Sequence, residues 1–115
     1  MTSYKVKSPV LFMIFNRPDV TIQVFEQIKQ AQPSRLYIAA DGPRDGNITD
    51  EYLCEQTRAA TKLVDWNCEV KTLFRDKNLG CKEAPASAIN WFFEQEEEGI
   101  ILEDDCLPAN DFFRF

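Results

Sequence analysis

Residues 8–30 read SPVLFMIFNRPDVTIQVFEQIKQ, and this stretch sets the class of fold. Residues 8–15 are an almost unbroken apolar run of strand length, which is typical of a parallel strand covered on both faces. Pro18 suits the first turn of a helix. Apolar residues then recur at helical spacing to about Gln30, namely Val20, Val24, Phe25 and Ile28. The stretch therefore predicts a strand followed by an amphipathic helix.

The same order of strand and helix recurs along the rest of the chain. The further predicted strands are residues 36–40, 68–74 and 100–102. The further predicted helices are residues 49–64 with Thr49 as cap, residues 84–93 with Pro85 in the first turn, and a last helix after Pro108. Four short alternations predict one α/β domain over residues 1–115, with a parallel, right-handed wound sheet and helices on both faces.

The loops after the strands are the expected place for a ligand. Ligands of such sheets bind beyond the carboxyl ends of the strands. The loops at those ends are residues 16–17, 41–46, 75–80 and 103–106. By contrast, the glutamates between residues 94 and 98 are predicted to form a solvated face at a helix end.

Composition excludes several classes of function. Nineteen acidic against thirteen basic residues give a net charge of -6, which opposes binding to nucleic acid or to an anionic membrane surface. A phosphate-bearing ligand would need a divalent cation, a helix N-terminus or a few placed basic residues. The chain has no histidine, so it cannot build a Ser-His-Asp or Cys-His hydrolase.

The cysteines indicate a reducing compartment. Cys54, Cys68, Cys81 and Cys106 are widely spread, with no C-x-x-C pair, and zinc is not expected. The sequence shows no signal peptide and no apolar run near twenty residues. We therefore expect a cytoplasmic protein without a membrane span, in which the cysteines are small apolar residues.

Three consecutive carboxylates follow the last predicted strand. Glu103, Asp104 and Asp105 lie so close together that their charges destabilise one another, and a divalent cation would remove that cost. Hard oxygen ligands suit Mg²⁺ or Mn²⁺. Glu103 and Asp105 would point to one side of the strand end and Asp104 to the other, so one or two of them would contact the metal. A solvated acidic turn is the alternative, and composition alone does not decide between the two.

Four other polar residues in these loops are candidates for ligand contacts. Asn16 and Arg17 would meet a base, a ribose or a diphosphate, unless Asn16 caps the next helix and Arg17 is simply exposed. Asp41 would accept a hydrogen bond from a pyrimidine N–H, or it is an ordinary turn aspartate. Lys82 would balance phosphate charge, although a solvated lysine is the simpler interpretation.

Residues 99–115, GIILEDDCLPANDFFRF, resemble a segment of GT-A glycosyltransferases. The likeness is to the N-acetylglucosaminyltransferase family that initiates complex N-glycans, with its hydrophobic strand, its Glu-Asp-Asp variant of the DxD motif and its Asp-Phe-Phe segment. Residues 15–18, 40–42 and 78–88 are similar to that family's preceding loops and helix. The resemblance thus covers nearly the whole chain.

The resemblance implies a donor site for a nucleoside-diphosphate sugar, with a UDP-sugar favoured, and a Mn²⁺ or Mg²⁺ cofactor. It implies that Asp105 is the direct metal ligand and that Glu103 and Asp104 support the ribose and the metal site. It also implies that Asp41 contacts the base. Arg17 and Lys82 would lie near the nucleotide or diphosphate.

The resemblance further implies the sheet order 3-2-1-4, a partial GT-A fold in which residues 100–102 form an edge strand. We expect that strand to pair with another copy of the chain or to come from a longer protein, because an edge strand leaves backbone groups unpaired. The family's acceptor pocket and catalytic base follow the DxD segment, so the chain is expected to be the donor-binding half of a glycosyltransferase, with the acceptor and the catalytic base unknown.

Two other functions remain open from the sequence. The first is a non-catalytic nucleotide- or metal-binding module that lacks the acceptor half. The second is a phosphoryl-handling α/β domain, such as a phosphatase or a receiver-like module. Domains of the second kind carry an acidic residue at the end of the first strand, where this chain has Asn16 and Arg17.

Overall fold

The computed structural model describes residues 8–104, and within them strands and helices alternate strictly. The strands are β1 (Val10–Ile14), β2 (Arg35–Ala40), β3 (Glu69–Phe74) and β4 (Ile100–Glu103). The helices are α1 (Pro18–Ala31), α2 (Ile48–Ala59) and α3 (Gly80–Phe93). None of the helices in this range has the length and apolarity that crossing a membrane requires. The helix predicted after Pro108 lies outside the described residues.

The four strands form one parallel sheet in the order β3-β2-β1-β4, which confirms the predicted fold class and strand order. Val10 of β1 lies opposite Leu36 of β2 and Ile100 of β4. β1 is therefore a central strand, and β4 lies at an edge as predicted. This architecture is Rossmann-like.

Both faces of the sheet are covered, which explains the unbroken apolar run of β1. On one face, Val10, Phe12 and Ile14 pack in a cluster with the buried residues of α1. On the other face, Leu11 packs with Phe92 of α3. Because side chains alternate along a strand, a strand covered on both sides needs apolar residues at every position.

Both ends of α2 differ from the prediction. Asn47, not Thr49, caps α2, because its side-chain oxygen accepts a hydrogen bond from the Asp50 N–H at 2.9 Å. The same helix ends at Ala59, and Val64 packs on the α1 side of the sheet from the following connection. An apolar residue that packs from a loop extends the helical pattern without extending the helix.

α3 begins at Gly80, four residues before the predicted start. Pro85 consequently lies in its second turn, so the prediction of a first-turn proline was wrong. The prediction for the glutamates was also wrong at Glu96, whose side chain is only 11% exposed. Glu96 accepts hydrogen bonds from Arg35 and from the Tyr37 hydroxyl, the latter at 2.6 Å.

Candidate functional site

The carboxyl ends of the four strands open into a cavity of about 680 Å³. Its apolar wall comes from the last residues of the strands and from α3, where Ala84 and Ala88 face the cavity. Its polar wall comes from the loops after the strands, with Asn16, Arg17, Asp41, Arg44, Arg75, Asn78, Glu103 and Asp104. The topology therefore assembles, at one edge of the sheet, polar residues that are up to 88 positions apart in the chain (104 − 16).

Most of the predicted site residues lie on the wall of this cavity. Asn16 and Arg17 follow β1, Asp41 follows β2, and Glu103 and Asp104 end β4. Lys82 does not line the cavity; it is exposed in the first turn of α3. The predicted metal ligand, Asp105, lies outside the described residues.

Asp41 is buried, with 9% of its surface exposed, and its carboxylate accepts four hydrogen bonds. Oδ1 accepts from the backbone N–H groups of Gly42 at 2.9 Å and Leu79 at 2.8 Å. Oδ2 accepts from the Asn78 side chain at 3.0 Å and the Gly80 N–H at 3.1 Å. Two of these donors start α3, which accounts for the early beginning of that helix. The predicted contact of Asp41 with a base stays a prediction.

Asn16 belongs to a second buried cluster, around Asp50 of α2. The Asn16 amide donates to Asp50 Oδ1 at 3.0 Å. The α1 cap position is Arg17, without a side-chain capping bond, so the alternative that Asn16 caps α1 is wrong. Arg17 itself is exposed, yet it lies on the cavity wall.

Arg44 completes the cluster around Asp50, which is 1% exposed. Its Nε and backbone N–H donate to Asp50 Oδ2 at 2.6 and 3.0 Å, and its Nη2 donates to Oδ1 at 2.8 Å. These side-chain hydrogen bonds outweigh burial and hold the pKa of Asp50 well below its ordinary value. Asp50 is therefore a buried anion whose charge is balanced by Arg44 of the connection between β2 and α2.

Sequence reasoning missed Asp50, Arg44 and Arg75. A signal for Asp50 is present, because residues 47–50 read Asn-Ile-Thr-Asp and resemble a capping box with an acid at its third helical position. Arg75 directly follows β3 and donates to the Ser87 hydroxyl of α3 at 3.0 Å. Its place in a strand-end loop was the available signal.

Charge varies along the cavity from one strand end to the next, and the Asp41 carboxylate lies among the cations. The cations Arg75, Arg44 and Arg17 follow β3, β2 and β1 in spatial order, and the carboxylates end β4 at the edge of the sheet. Asp50 neutralises Arg44. Neither Arg17 nor Arg75 forms an ion pair within the part of the chain that the structure describes. The wall thus presents two guanidinium groups that have no ion-pair partner among the described residues and, beside them, carboxylates.

The described carboxylates do not form a metal site by themselves. Within residues 8–104, no group of three or more histidines, cysteines, aspartates or glutamates is arranged to hold a metal ion. Glu103 and Asp104 are neighbours on the wall, and Mg²⁺ sites in proteins often use one or two carboxylates with substrate phosphates. The Mn²⁺ or Mg²⁺ site therefore stays a prediction that depends on Asp105.

Comparisons with family models, curated proteins and solved structures find no match to this chain. The resemblance to GT-A glycosyltransferases therefore depends on the quoted motifs, and the fold rests on the strand order described above.

Proposed function

We propose that this chain binds a nucleoside-diphosphate sugar, a UDP-sugar by preference, as the donor-binding half of a GT-A type glycosyltransferase. The observation that supports the proposal is the charge pattern of the cavity. The guanidinium groups of Arg17 and Arg75, which form no ion pair within residues 8–104, suit a diphosphate, and the carboxylates beside them suit a divalent cation bound to that diphosphate. A net charge of -6 makes such local cations necessary for any anionic ligand.

Each wall residue has a distinct task in this proposal. Arg17 offers a planar, permanently charged fork to phosphate oxygens. Asn16, held by Asp50, contacts the ribose or the diphosphate. Its amide nitrogen donates one hydrogen to Asp50 and keeps a second for a phosphate oxygen, and its carbonyl oxygen can accept from a ribose hydroxyl. Asp105 would bind the metal directly, and Glu103 and Asp104 would support the ribose and the metal site. A bound Mn²⁺ or Mg²⁺ would offset the negative charge on the departing nucleoside diphosphate.

The fold bears differently on the two other candidate functions, a phosphoryl-handling domain and a non-catalytic binding module. A phosphoryl-handling domain needs a carboxylate at the end of the first strand, and β1 leads into Phe15, Asn16 and Arg17. A non-catalytic binding module would use the same cavity, so sugar transfer to an acceptor or hydrolysis of the donor distinguishes it from an enzyme. Pairing of β4 with another copy, and a cytoplasmic location, remain parts of the proposal.

The test is calorimetric titration of UDP, GDP and CMP into the chain, with and without Mn²⁺. We expect Mn²⁺-dependent binding of one nucleotide. That binding should weaken at least about tenfold in Arg17→Ala, because a charge-assisted contact to phosphate is lost. It should disappear in Asp105→Ala and in a double variant with Glu103→Gln and Asp104→Asn.

Asp45→Asn is the matched control, since Asp45 is an exposed carboxylate of the same loop region that does not line the cavity. Its affinity should equal that of the wild type. Absence of binding for all three nucleotides, or equal binding in the carboxylate variants, would contradict the proposal.

A further inference from the structure

The loops after β2 and β3 are joined by hydrogen bonds to one carboxylate. We call this arrangement of Asp41, Gly42 and residues 78–80 the clasp. Asp41 lies at the end of β2, and three of its four donors belong to Asn78, Leu79 and Gly80, which lie 37 to 39 residues further along the chain. The fourth donor is the neighbouring Gly42 N–H. Each carboxylate oxygen has two acceptor positions, so this set uses all four.

Two contacts beyond the carboxylate reinforce the clasp. The Asn78 side chain also donates to the Gly42 carbonyl at 2.9 Å, which ties the two loops a second time. A Cβ added to Gly42 would lie 2.6 to 2.7 Å from the backbone atoms of Lys77, closer than packed atoms approach. The backbone of one loop therefore rests directly on that of the other.

The clasp determines where α3 begins. The α3 cap position, Leu79, makes no side-chain capping bond, and Asp41 supplies the missing acceptor from another loop. A carboxylate at a helix N-terminus also interacts favourably with the helix dipole. Gly80 adopts a φ of 93°, a left-handed conformation that favours glycine, so the entry into α3 has a fixed shape.

The same entry is part of the cavity. Asn78, Gly80 and Cys81 line its wall, and Arg75 lies at the start of the same loop. If the clasp opened, α3 would lose its first turn and these wall residues would move. The shape of the cavity next to β3 thus depends on Asp41 without any contact between its carboxylate and a ligand.

We propose that Asp41 is a positioning residue, which sets the β3 side of the nucleotide cavity through residues 78–80, and that it does not contact the base. The nucleotide-binding part of this inference rests on the proposed function. The amide-exchange part rests on the clasp alone. It replaces the role that the family resemblance implies for Asp41.

The experiment compares Asp41→Asn, Asp41→Ala and Asn78→Ala with the wild type, and Asp45→Asn is the control. The affinities for UDP and GDP are measured by calorimetry. The hydrogen-exchange rates of the Leu79 and Gly80 amides are measured without nucleotide. Circular dichroism establishes that each variant is folded. If the Asp41 variants do not fold, the comparison uses Asn78→Ala alone.

A positioning role predicts faster amide exchange, at least about tenfold at Gly80 in Asp41→Asn, because the asparagine keeps one acceptor and loses the other. Affinities for UDP and GDP should fall by a common factor, more in Asp41→Ala than in Asp41→Asn. Asn78→Ala should also lower the affinities for UDP and GDP, and its effect should be less than additive with that of Asp41→Asn.

Two other outcomes would overturn the proposal. A base contact predicts that Asp41→Asn changes the ratio of UDP to GDP affinity, with amide exchange unaltered. A pure charge effect predicts tighter nucleotide binding, because a negative charge leaves the cavity wall. If no nucleotide binds the wild type, the proposed function fails, and unaltered exchange at Leu79 and Gly80 would separately refute the clasp.

Discussion

Asp41 and Asp50 are two buried carboxylates within ten residues of each other, and each accepts four hydrogen bonds. Their donors differ in charge. Asp50 is neutralised by the Arg44 guanidinium, whereas Asp41 is held by backbone and side-chain amides that carry no charge. Asp50 ties the loop after β2 to the loop after β1, and Asp41 ties it to the loop after β3.

The difference in donor charge distinguishes two ways of stabilising a buried carboxylate. An ion pair stabilises the charge strongly, but each partner depends on the other, and loss of one leaves the other uncompensated. A set of amide donors spreads the same task over several weaker bonds that also fix the backbone. Disruption of the ion pair at Asp50 should therefore lower the stability of the whole domain, whereas disruption of the amide donors at Asp41 should affect mainly the nearby backbone.

The largest effect is expected when Asp50 is removed. Asp50→Ala removes the acceptor of the Asn16 amide and of the Arg44 backbone N–H, and it breaks the ion pair with the 57% exposed Arg44 side chain. We expect the free energy of unfolding to fall by about 3 kcal/mol, mainly through the lost hydrogen bonds to a charged, buried group. Urea denaturation followed by circular dichroism measures it. Glu51→Ala, at the exposed neighbouring position, should cost well under half of that. Equal losses in the two variants would show that the cluster contributes nothing specific.

A smaller and more local effect is expected at the Asp41 side. Gly42→Ala places a Cβ against the Lys77 backbone, and relieving that overlap should cost about 2 kcal/mol of unfolding free energy. Amide chemical shifts of residues 77–80 should change while the Asn16 side-chain amide shift stays constant. Changes at both positions would mean that the two clusters are one unit.

Lowering the pH should reduce the difference in unfolding free energy between the wild type and Asp50→Asn. The pKa of Asp50 is lowered in the folded state, so its contribution is complete above the unfolded-state pKa of about 4 and declines as the pH falls toward the folded value. The stability gap between the two proteins should shrink by about 1 kcal/mol between pH 5 and pH 3. Urea denaturation at both pH values measures this gap, and a constant gap would refute the assigned ionisation.

The smallest effect is expected at a third carboxylate, far from the cavity wall. Burial, reinforced by the hydrogen bond to Glu96, raises the pKa of Tyr37 to about 12. Tyr37→Phe removes that bond while Glu96 keeps Arg35, so the unfolding free energy should fall by about 0.5 to 1 kcal/mol. Nucleotide affinity should not change. An altered affinity would show that the cavity responds to any loss of buried polar contacts.

The α/β class could be predicted from the sequence because periodicity reports burial directly. The strand order and the position of β4 at the edge were instead implied by the family resemblance. The meeting of Asn16, Asp41 and Glu103 at one edge of the sheet was predicted from their places after the strands. The cluster of Asp50 with Arg44 was not predicted, because it depends on the path of the loop after β2 rather than on any repeat. Lys82 lies outside the cavity wall for a similar reason, because α3 begins early and Lys82 belongs to its first turn; its contact with the diphosphate stays a prediction.

The position of β4 has a consequence for how the cavity forms during synthesis. Among the described strands β4 pairs only with β1, and partners such as Val10 and Ile100 are separated by 90 residues, so closing that loop has an entropic cost. Glu103 and Asp104 can reach the cavity only after this pairing. The arginine loops after β1, β2 and β3 can assemble earlier on the ribosome, so within residues 8–104 the acidic side of the cavity is the part that a nascent chain completes last.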